Sequence, residues 1–278
     1  MGKMNIRTNI FPKCVRDAFV TGFLFVIMPV VYYFEMFVVL PKYYKQWSVW
    51  YNFHFVIGTI ILFNICSNLI AIIMCDTSIK GRVLPTDLKP DWRFCSVCES
   101  VAPPRSWHCE VCKVCILKRD HHCMFTSCCI GFENHRYFLI FVFYMLIATL
   151  YASYYNMKFI KNFVTFDFSW TSIFKIVFPL ATLFMEWTQN QLFIFLILIV
   201  FFGAGFSGAL LYFHIDLMLR SVVTYERNTV SKYDKGKLEN IKLVLGDKWY
   251  LVWLSPWIKS KLTCDGINWD KMLSLKEK

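Results

Sequence analysis

Charge is scarce in this chain: only 18% of its 278 residues are Asp, Glu, Lys or Arg, against 57% hydrophobic and 19% aromatic residues. That balance excludes the soluble one- or two-domain fold that the length alone would allow. Long runs lack charge almost entirely. Ala18 to Leu40 and Leu192 to Leu219 read as membrane spans, the latter interrupted only by His214 and Asp216 near its end. Phe53 to Cys75 and Tyr137 to Asn156 carry no Asp, Glu, Lys or Arg and give two more. Glu35, His54 and Asp216 are the ionisable groups inside these runs, and their places near span ends point to the membrane interface.

Other absences narrow the reading. No small-residue cleavage site follows the first run, so it is expected to stay as an anchor rather than leave as a signal peptide. The start Met-Gly-Lys-Met-Asn-Ile lacks the Ser or Thr at position six that N-myristoylation needs. No internal repeat is evident. Gly203-Ala204-Gly205-Phe206-Ser207-Gly208 has the spacing of a dinucleotide fingerprint but lacks the preceding strand, and inside an apolar span it reads as a close helix contact.

The basic residues that remain are unevenly placed. Of the 30 Lys and Arg, four precede the first span, nine lie between spans two and three, and twelve follow the fourth. Two fall in the first connecting loop and three in the third. Positive flanks stay cytosolic, which predicts that both termini and the central loop face the cytosol. The net charge of +11 is spread over these flanks, so it suits an anionic bilayer surface and no nucleic acid is expected as a partner. The same field would gather a polyphosphorylated cofactor. In the third loop, Ile173 to Met185 is too short to cross and reads as a re-entrant or interfacial element. Residues 220 to 248 read as partly helical, and the aromatic cluster Trp249 to Ile258 as a surface contact.

Cysteine is the exception to all this scarcity. Eight of the twelve lie within the 35 residues from Cys95 to Cys129, together with His108, His121 and His122. The cytosol is reducing, so metal binding is favoured over disulfides. The order is Cys95-x2-Cys98-x9-His108-Cys109-x2-Cys112-x2-Cys115, then Asp120-His121-His122-Cys123, then Cys128-Cys129. Cys-x2-Cys turns aim two thiolates at one tetrahedral zinc. Two closed sites need about eight donors, fewer than the block supplies, so at least one Cys and one His are left over. A thiol with an imidazole and a carboxylate beside it is the set for an activated nucleophile, and Asp120, His121 and Cys123 supply those parts. The blander reading is that all three belong to the zinc fold.

These residues resemble the DHHC protein S-acyltransferases, or palmitoyltransferases. The likeness runs over residues 95–138 and includes Pro104-Arg105-Ser106, the Asp120-His121-His122-Cys123 tetrad, Cys129, Asn134 and Phe138. It implies an all-α integral membrane protein: four transmembrane helices with a cytosolic two-zinc cysteine-rich domain between spans two and three. The segments are a cytosolic 1–17, spans one and two in 18–75, the linker and zinc domain in 76–136, spans three and four with a lumenal loop in 137–219, and a cytosolic tail in 220–278.

The resemblance further implies two structural Zn2+, one held by Cys95, Cys98, His108 and Cys115 and the other by Cys109, Cys112, His122 and Cys129. It makes Cys123 the acyl-accepting nucleophile, His121 its base and Asp120 the orienter of His121. Fatty acyl-CoA is then the co-substrate, cysteines of protein substrates at the bilayer are the acceptors, and endoplasmic reticulum or Golgi membrane is the location. Supporting positions are Arg105, Phe125, Asn240, and Thr224 with Glu226, which match the family's Thr-Thr-x-Glu element. This chain departs from the family at Val223, where Thr is usual, at Met124-Phe125 in place of Pro-Trp, at Cys128 in place of Asn, and at Asp76-Thr77-Ser78 in place of Asp-Pro-Gly. Those departures leave a second reading open, a catalytically silent membrane adaptor. Cys128 reads as a buried spare thiol.

Overall fold

The computed structural model describes residues 5–85, 89, 91–163, 169–185 and 187–269. Of the start read above for myristoylation, residues 1–4 lie outside them. Four helices are long and apolar enough to cross a membrane: Val15–Lys42, Val49–Met74, His135–Asn162 and Gln189–Leu219. They cover the four expected runs except Cys75, which follows the second helix, and each begins earlier than expected because helix continues through polar flanks that hydropathy cannot count.

The first is α-helical only over Val15–Tyr33 (α1). A π-helical turn, Phe34–Val39, and a 3-10 turn, Leu40–Lys42, complete it. Pro41 cannot donate to a continuing ladder. The second is α2 (Val49–Met74), the third belongs to α3 (His135–Phe163), and the fourth is α6 (Gln189–Leu219). The Gly203 to Gly208 stretch is uninterrupted helix, so the dinucleotide spacing is coincidental.

The chain forms two compact units. The first comprises Met1–Leu24, Cys66–Phe141 and Leu211–Lys278, and the second Phe25–Ile65 and Val142–Leu210. In the second, the core gathers Phe34, Val39, Tyr51, Phe159, Leu196 and Ile197. Phe34 meets the edge of Phe159 with centroids 6.1 Å apart. Phe25, Val26, Phe63 and Phe202 stay exposed, as lipid-facing positions should.

Glu35 lies in the π-helical turn Phe34–Val39. It is buried, and Asn156 Nδ2 donates to its Oε1 at 2.7 Å. His54 bonds the Tyr151 hydroxyl through Nδ1 and the Tyr155 hydroxyl through Nε2, the latter at 3.3 Å. The short apolar element of the third loop is two helices, α4 (Trp170–Val177), capped by Ser169, and α5 (Pro179–Met185), opened by Pro179.

In the first unit the cysteine-rich segment adds what hydropathy does not reveal, three two-stranded antiparallel hairpins. They are β1–β2 (Arg93–Cys95 with Ser100–Ala102), β3–β4 (Trp107–Cys109 with Val114–Ile116) and β5–β6 (His121–Cys123 with Cys128–Ile130). Their apolar cover comes partly from the C-terminal region. Ile79, Leu117 and Phe132 pack with Tyr233, Leu243 of α7 (Lys237–Leu245) and the fully buried Trp269.

Gly131 makes a close crossing possible, since a Cβ there would lie 2.7 Å from the Leu117 carbonyl oxygen. The departure Asp76-Thr77-Ser78 keeps a turn by other means. Asp76 Oδ1 accepts from Ser78 N at 2.9 Å, and Thr77 O from Leu117 N at 2.9 Å.

Candidate active site and metal centres

The hairpins reveal an internal repeat that a reading of the sequence misses. Cys95, Cys109 and Cys123 follow one another at intervals of 14 residues, and each ends the first strand of its hairpin. In the same register Cys95 faces Ser100, Cys109 faces Val114 and Cys123 faces Cys128. The residue before each second strand, Glu99, Lys113 or Ser127, takes a positive φ of 47°, 55° or 51°. Non-glycine residues rarely adopt that conformation unless their surroundings impose it. The repeat escapes notice because its third copy has Thr126 where the others have Cys98 and Cys112.

This register explains how the donors group. Cys95 and Cys98 of the first turn converge with His108 and Cys115 of the second hairpin. Cys109 and Cys112 converge with His122 and Cys129 of the third. Each turn borrows its remaining two donors from the hairpin that follows. Among the described residues α3, not a fourth hairpin, follows the third, so its turn cysteine, Cys123, belongs to neither four-residue set.

Both sets fit zinc. With Zn–S near 2.3 Å and Zn–N near 2.05 Å, a tetrahedron separates S from N by roughly 3.6 Å and S from S by roughly 3.8 Å. The distance from Sγ to His108 Nδ1 is 3.8 Å for Cys95 and 3.3 Å for Cys98. From His122 Nδ1, the sulfurs of Cys109, Cys112 and Cys129 lie at 3.6, 3.4 and 3.7 Å, and Cys112 Sγ is 3.8 Å from Cys129 Sγ. These eight residues would hold two zinc ions as closed structural centres. His122 turns its other nitrogen, Nε2, to the buried Asp17 Oδ2 at 2.7 Å, the outer partner that fixes a metal-binding ring. Asp17 is a site residue the sequence reading passed over. Its signal was an acid placed at the start of an apolar span.

Cys123 sits against a separate cluster. His121 Nδ1 bonds Asp120 Oδ2 at 2.7 Å, and the Asp120 side chain has no exposure. Burial, the largest single influence, would raise the Asp120 carboxyl, but the His121 hydrogen bond together with the His135, His121 and His214 rings outweighs it and holds the group well below the usual carboxylate range. Burial likewise pulls His121 down, and its bonds to Asp120 and then to Cys123 push it up to about 9. The Cys123 thiol, which burial would raise, is lowered by the His121 hydrogen bond and charge and further by the Thr126 hydroxyl. The arrangement therefore favours a thiolate beside an imidazolium. Cys128 differs. It is buried, donates to Thr126 Oγ1 at 3.5 Å, and is pushed up to about 12 by burial, so it is an inert thiol.

The expected supporting residues divide. Thr224 opens a 3-10 turn, Thr224–Glu226, and reaches Asp120 with both its N–H and its hydroxyl. Arg105 forms a fork on Glu226, Nε to Oε1 at 3.1 Å and Nη2 to Oε2 at 2.6 Å, and also donates to Ser221 O at 2.9 Å. Glu226 Oε2 accepts from Val223 N at 3.2 Å, so position 223 contributes its backbone while its side chain is fully buried. Asn240 holds the tail instead of the centre, donating to Leu219 O at 2.8 Å and to Asp234 Oδ1 at 2.7 Å. Phe125 is half-buried beside Cys123. His214 of α6 stands 3.6 Å from Asp120 Oδ2, closer to the cluster than any sequence argument put it.

Comparison with known proteins gives the same answer. The profile of the DHHC palmitoyltransferase domain matches residues 88–231. The probable palmitoyltransferase ZDHHC24 of Danio rerio is 38% identical over 242 residues, covering 84% of this chain and 81% of that protein. Its Homo sapiens counterpart is 33% identical over 221 residues, 74% of each. The probable protein S-acyltransferase 14 of Arabidopsis thaliana is 36% identical over 173 residues, 60% of this chain and 51% of that one. The chain belongs to the DHHC palmitoyltransferase family.

Proposed function

We propose that this protein transfers a long-chain fatty acyl group, palmitoyl being the expected one, from acyl-CoA to Cys123 and then to cysteines of protein substrates at the membrane surface. The observation that carries this reading is the Cys123–His121–Asp120 array beside two complete four-residue sets that suit zinc. In the first half-reaction the Cys123 thiolate attacks the thioester carbonyl. The bond from carbonyl carbon to CoA sulfur breaks, and the leaving thiolate takes the proton held on His121. In the second, His121 accepts the proton of the incoming protein thiol, whose sulfur takes the acyl group and releases Cys123. One thioester replaces another in each half, so placement and proton handling are the enzyme's task.

Within the second unit lies an apolar cavity of about 140 Å3, lined by Ile27, Val31, Ile61, Ile65, Ala152 and Val200, with room for only a short part of an acyl chain. The charge distribution supports cytosolic termini and a cytosolic zinc domain, and family analogy supports endoplasmic reticulum or Golgi membrane. The two zinc ions supply structure, tying together hairpins that have little apolar core of their own.

Incubation of the purified protein with a labelled long-chain acyl-CoA tests the reading. Hydroxylamine-sensitive label on the unmodified protein, absent from Cys123→Ser, is the expected result. Label retained in Cys123→Ser, or no label on a zinc-replete unmodified protein, rejects it, and the latter leaves the silent adaptor.

A further inference from the structure

One imidazole of the cluster has no part in acyl transfer. His214 is 2% exposed, and its Nδ1 is buried without a hydrogen-bond partner. Leaving such a group without a partner costs stability unless a ligand supplies one. The nitrogen is aimed at Asp120, 3.6 Å from Oδ2. That is too long for a hydrogen bond. It is close to the roughly 3.4 Å that separates an N and an O ligand of one tetrahedral ion.

The His121 ring lies alongside at 5.3 Å between centroids, and a ligand atom from each of Asp120, His121 and His214 falls within 4.8 Å of the other two. Two imidazoles and a carboxylate make an open zinc site, with water in the fourth position. Thr224 already fixes the carboxylate from behind through two bonds, the support that metal-binding carboxylates need. The His121 side chain is 26% exposed, which leaves a way in.

We propose that Asp120, His121 and His214 form a third metal site, distinct from the two structural sets, that binds a divalent ion such as Zn2+ reversibly and switches acyl transfer off. Binding exchanges one proton for one ion: His121 releases its Nδ1 proton to solvent and gives up its bond to Asp120. The ring is then no longer an imidazolium and keeps only its Nε2 proton, so it is too weak an acid to protonate the leaving thiolate and has no free nitrogen to accept a proton from a substrate thiol. No electron is transferred. The inhibitory half of this inference rests on the acyl-transfer reading, whereas the binding half does not.

The two halves are tested separately in the full-length, zinc-loaded protein in nanodiscs. Co2+ is first titrated into Cys123→Ser protein. A third metal equivalent is expected, with ligand-field absorption and no thiolate charge-transfer band. His214→Phe keeps the ring that packs on Phe138, and in the same background it should weaken Co2+ binding by at least about tenfold. His214→Gln serves if the Phe variant does not fold.

Buffered Zn2+ is then added to the Cys123-intact protein during acyl-enzyme formation. The rate should fall by about tenfold or more, recover with a chelator too weak to strip the structural sites, and respond far less in His214→Phe. No third equivalent, an equal one in the His214 variants, or a thiolate charge-transfer band overturns the site. Normal Co2+ binding with rates indifferent to Zn2+ overturns the switch. A zinc-replete protein that binds Co2+ but never acylates overturns the acyl-transfer reading alone.

Discussion

Thr224 bonds the Asp120 carboxylate twice across 104 residues, its N–H to Oδ1 at 2.9 Å and its hydroxyl to Oδ2 at 2.9 Å. Asp120 is thereby held in the one orientation in which its Oδ2 also receives His121. A hydrogen bond to a buried charge contributes about 1.5–3 kcal/mol. Thr224→Val should therefore slow acyl-enzyme formation by roughly 10- to 100-fold, and Thr224→Ser should recover most of the rate. Val223→Thr should change it less than about twofold, because position 223 already supplies its N–H to Glu226. Single-turnover labelling of the three variants checks this.

Metal content should separate the roles of neighbouring cysteines. Cys98→Ser or Cys112→Ser is expected to lose a zinc equivalent and melt at lower temperature, since a structural zinc is folding energy. Cys123→Ser should keep both equivalents. Elemental analysis paired with thermal unfolding reads both, and a zinc lost from Cys123→Ser would refute the ligand grouping.

Thr126 takes the place that a second thiolate holds in the other two turns, and its hydroxyl helps lower the Cys123 thiol. Thr126→Val should raise the pH at which Cys123 reacts with a small alkylating agent, whereas Thr126→Ser should not. An unchanged alkylation profile in the Val variant would remove Thr126 from the account.

Gly131 has no room for a methyl group between Ile116, Leu117 and Thr77. Gly131→Ala should cost about 1–3 kcal/mol, the range for overpacking, and be visible as a lower melting temperature.

Lys118 is buried, and burial, reinforced by the nearby Arg105 charge, pulls it down to about 8. Its folded value lies below its unfolded one, so between about pH 8 and the ordinary lysine value the unfolded chain binds more protons and stability rises with pH. The charged form at neutral pH is the costly one. Lys118→Met should therefore stabilise the protein most below pH 8, and that advantage should shrink as pH rises. Melting temperatures of the two proteins across that window decide the point.

Much of this could be read before any coordinates. Charge-poor runs disclosed all four spans, and the surplus of donors over two zinc sites left at least one thiol and one imidazole over, which the family resemblance identified with Cys123 and His121. The hairpins were not legible, because three-residue strands carry no periodicity and their conformation depends on metal-ligand geometry. The 14-residue repeat was hidden by Thr126, whose side chain has lost the thiol that would have marked it. His214 was visible as a polar residue within an apolar span, but only the fold brings it from α6 to Asp120. Glu35 was visible as a lone acid in an apolar run, but its burial and its partner Asn156 follow only from the fold.

The central claim is that Cys123 is free for acylation because the repeat ends with it. Native mass spectrometry of the intact protein after one turnover with palmitoyl-CoA tests this most directly. The account predicts one species carrying two zinc ions and a single acyl group mapped to Cys123. An acyl group on Cys128 or on a zinc-ligand cysteine, or acylation accompanied by loss of a zinc ion, would contradict it.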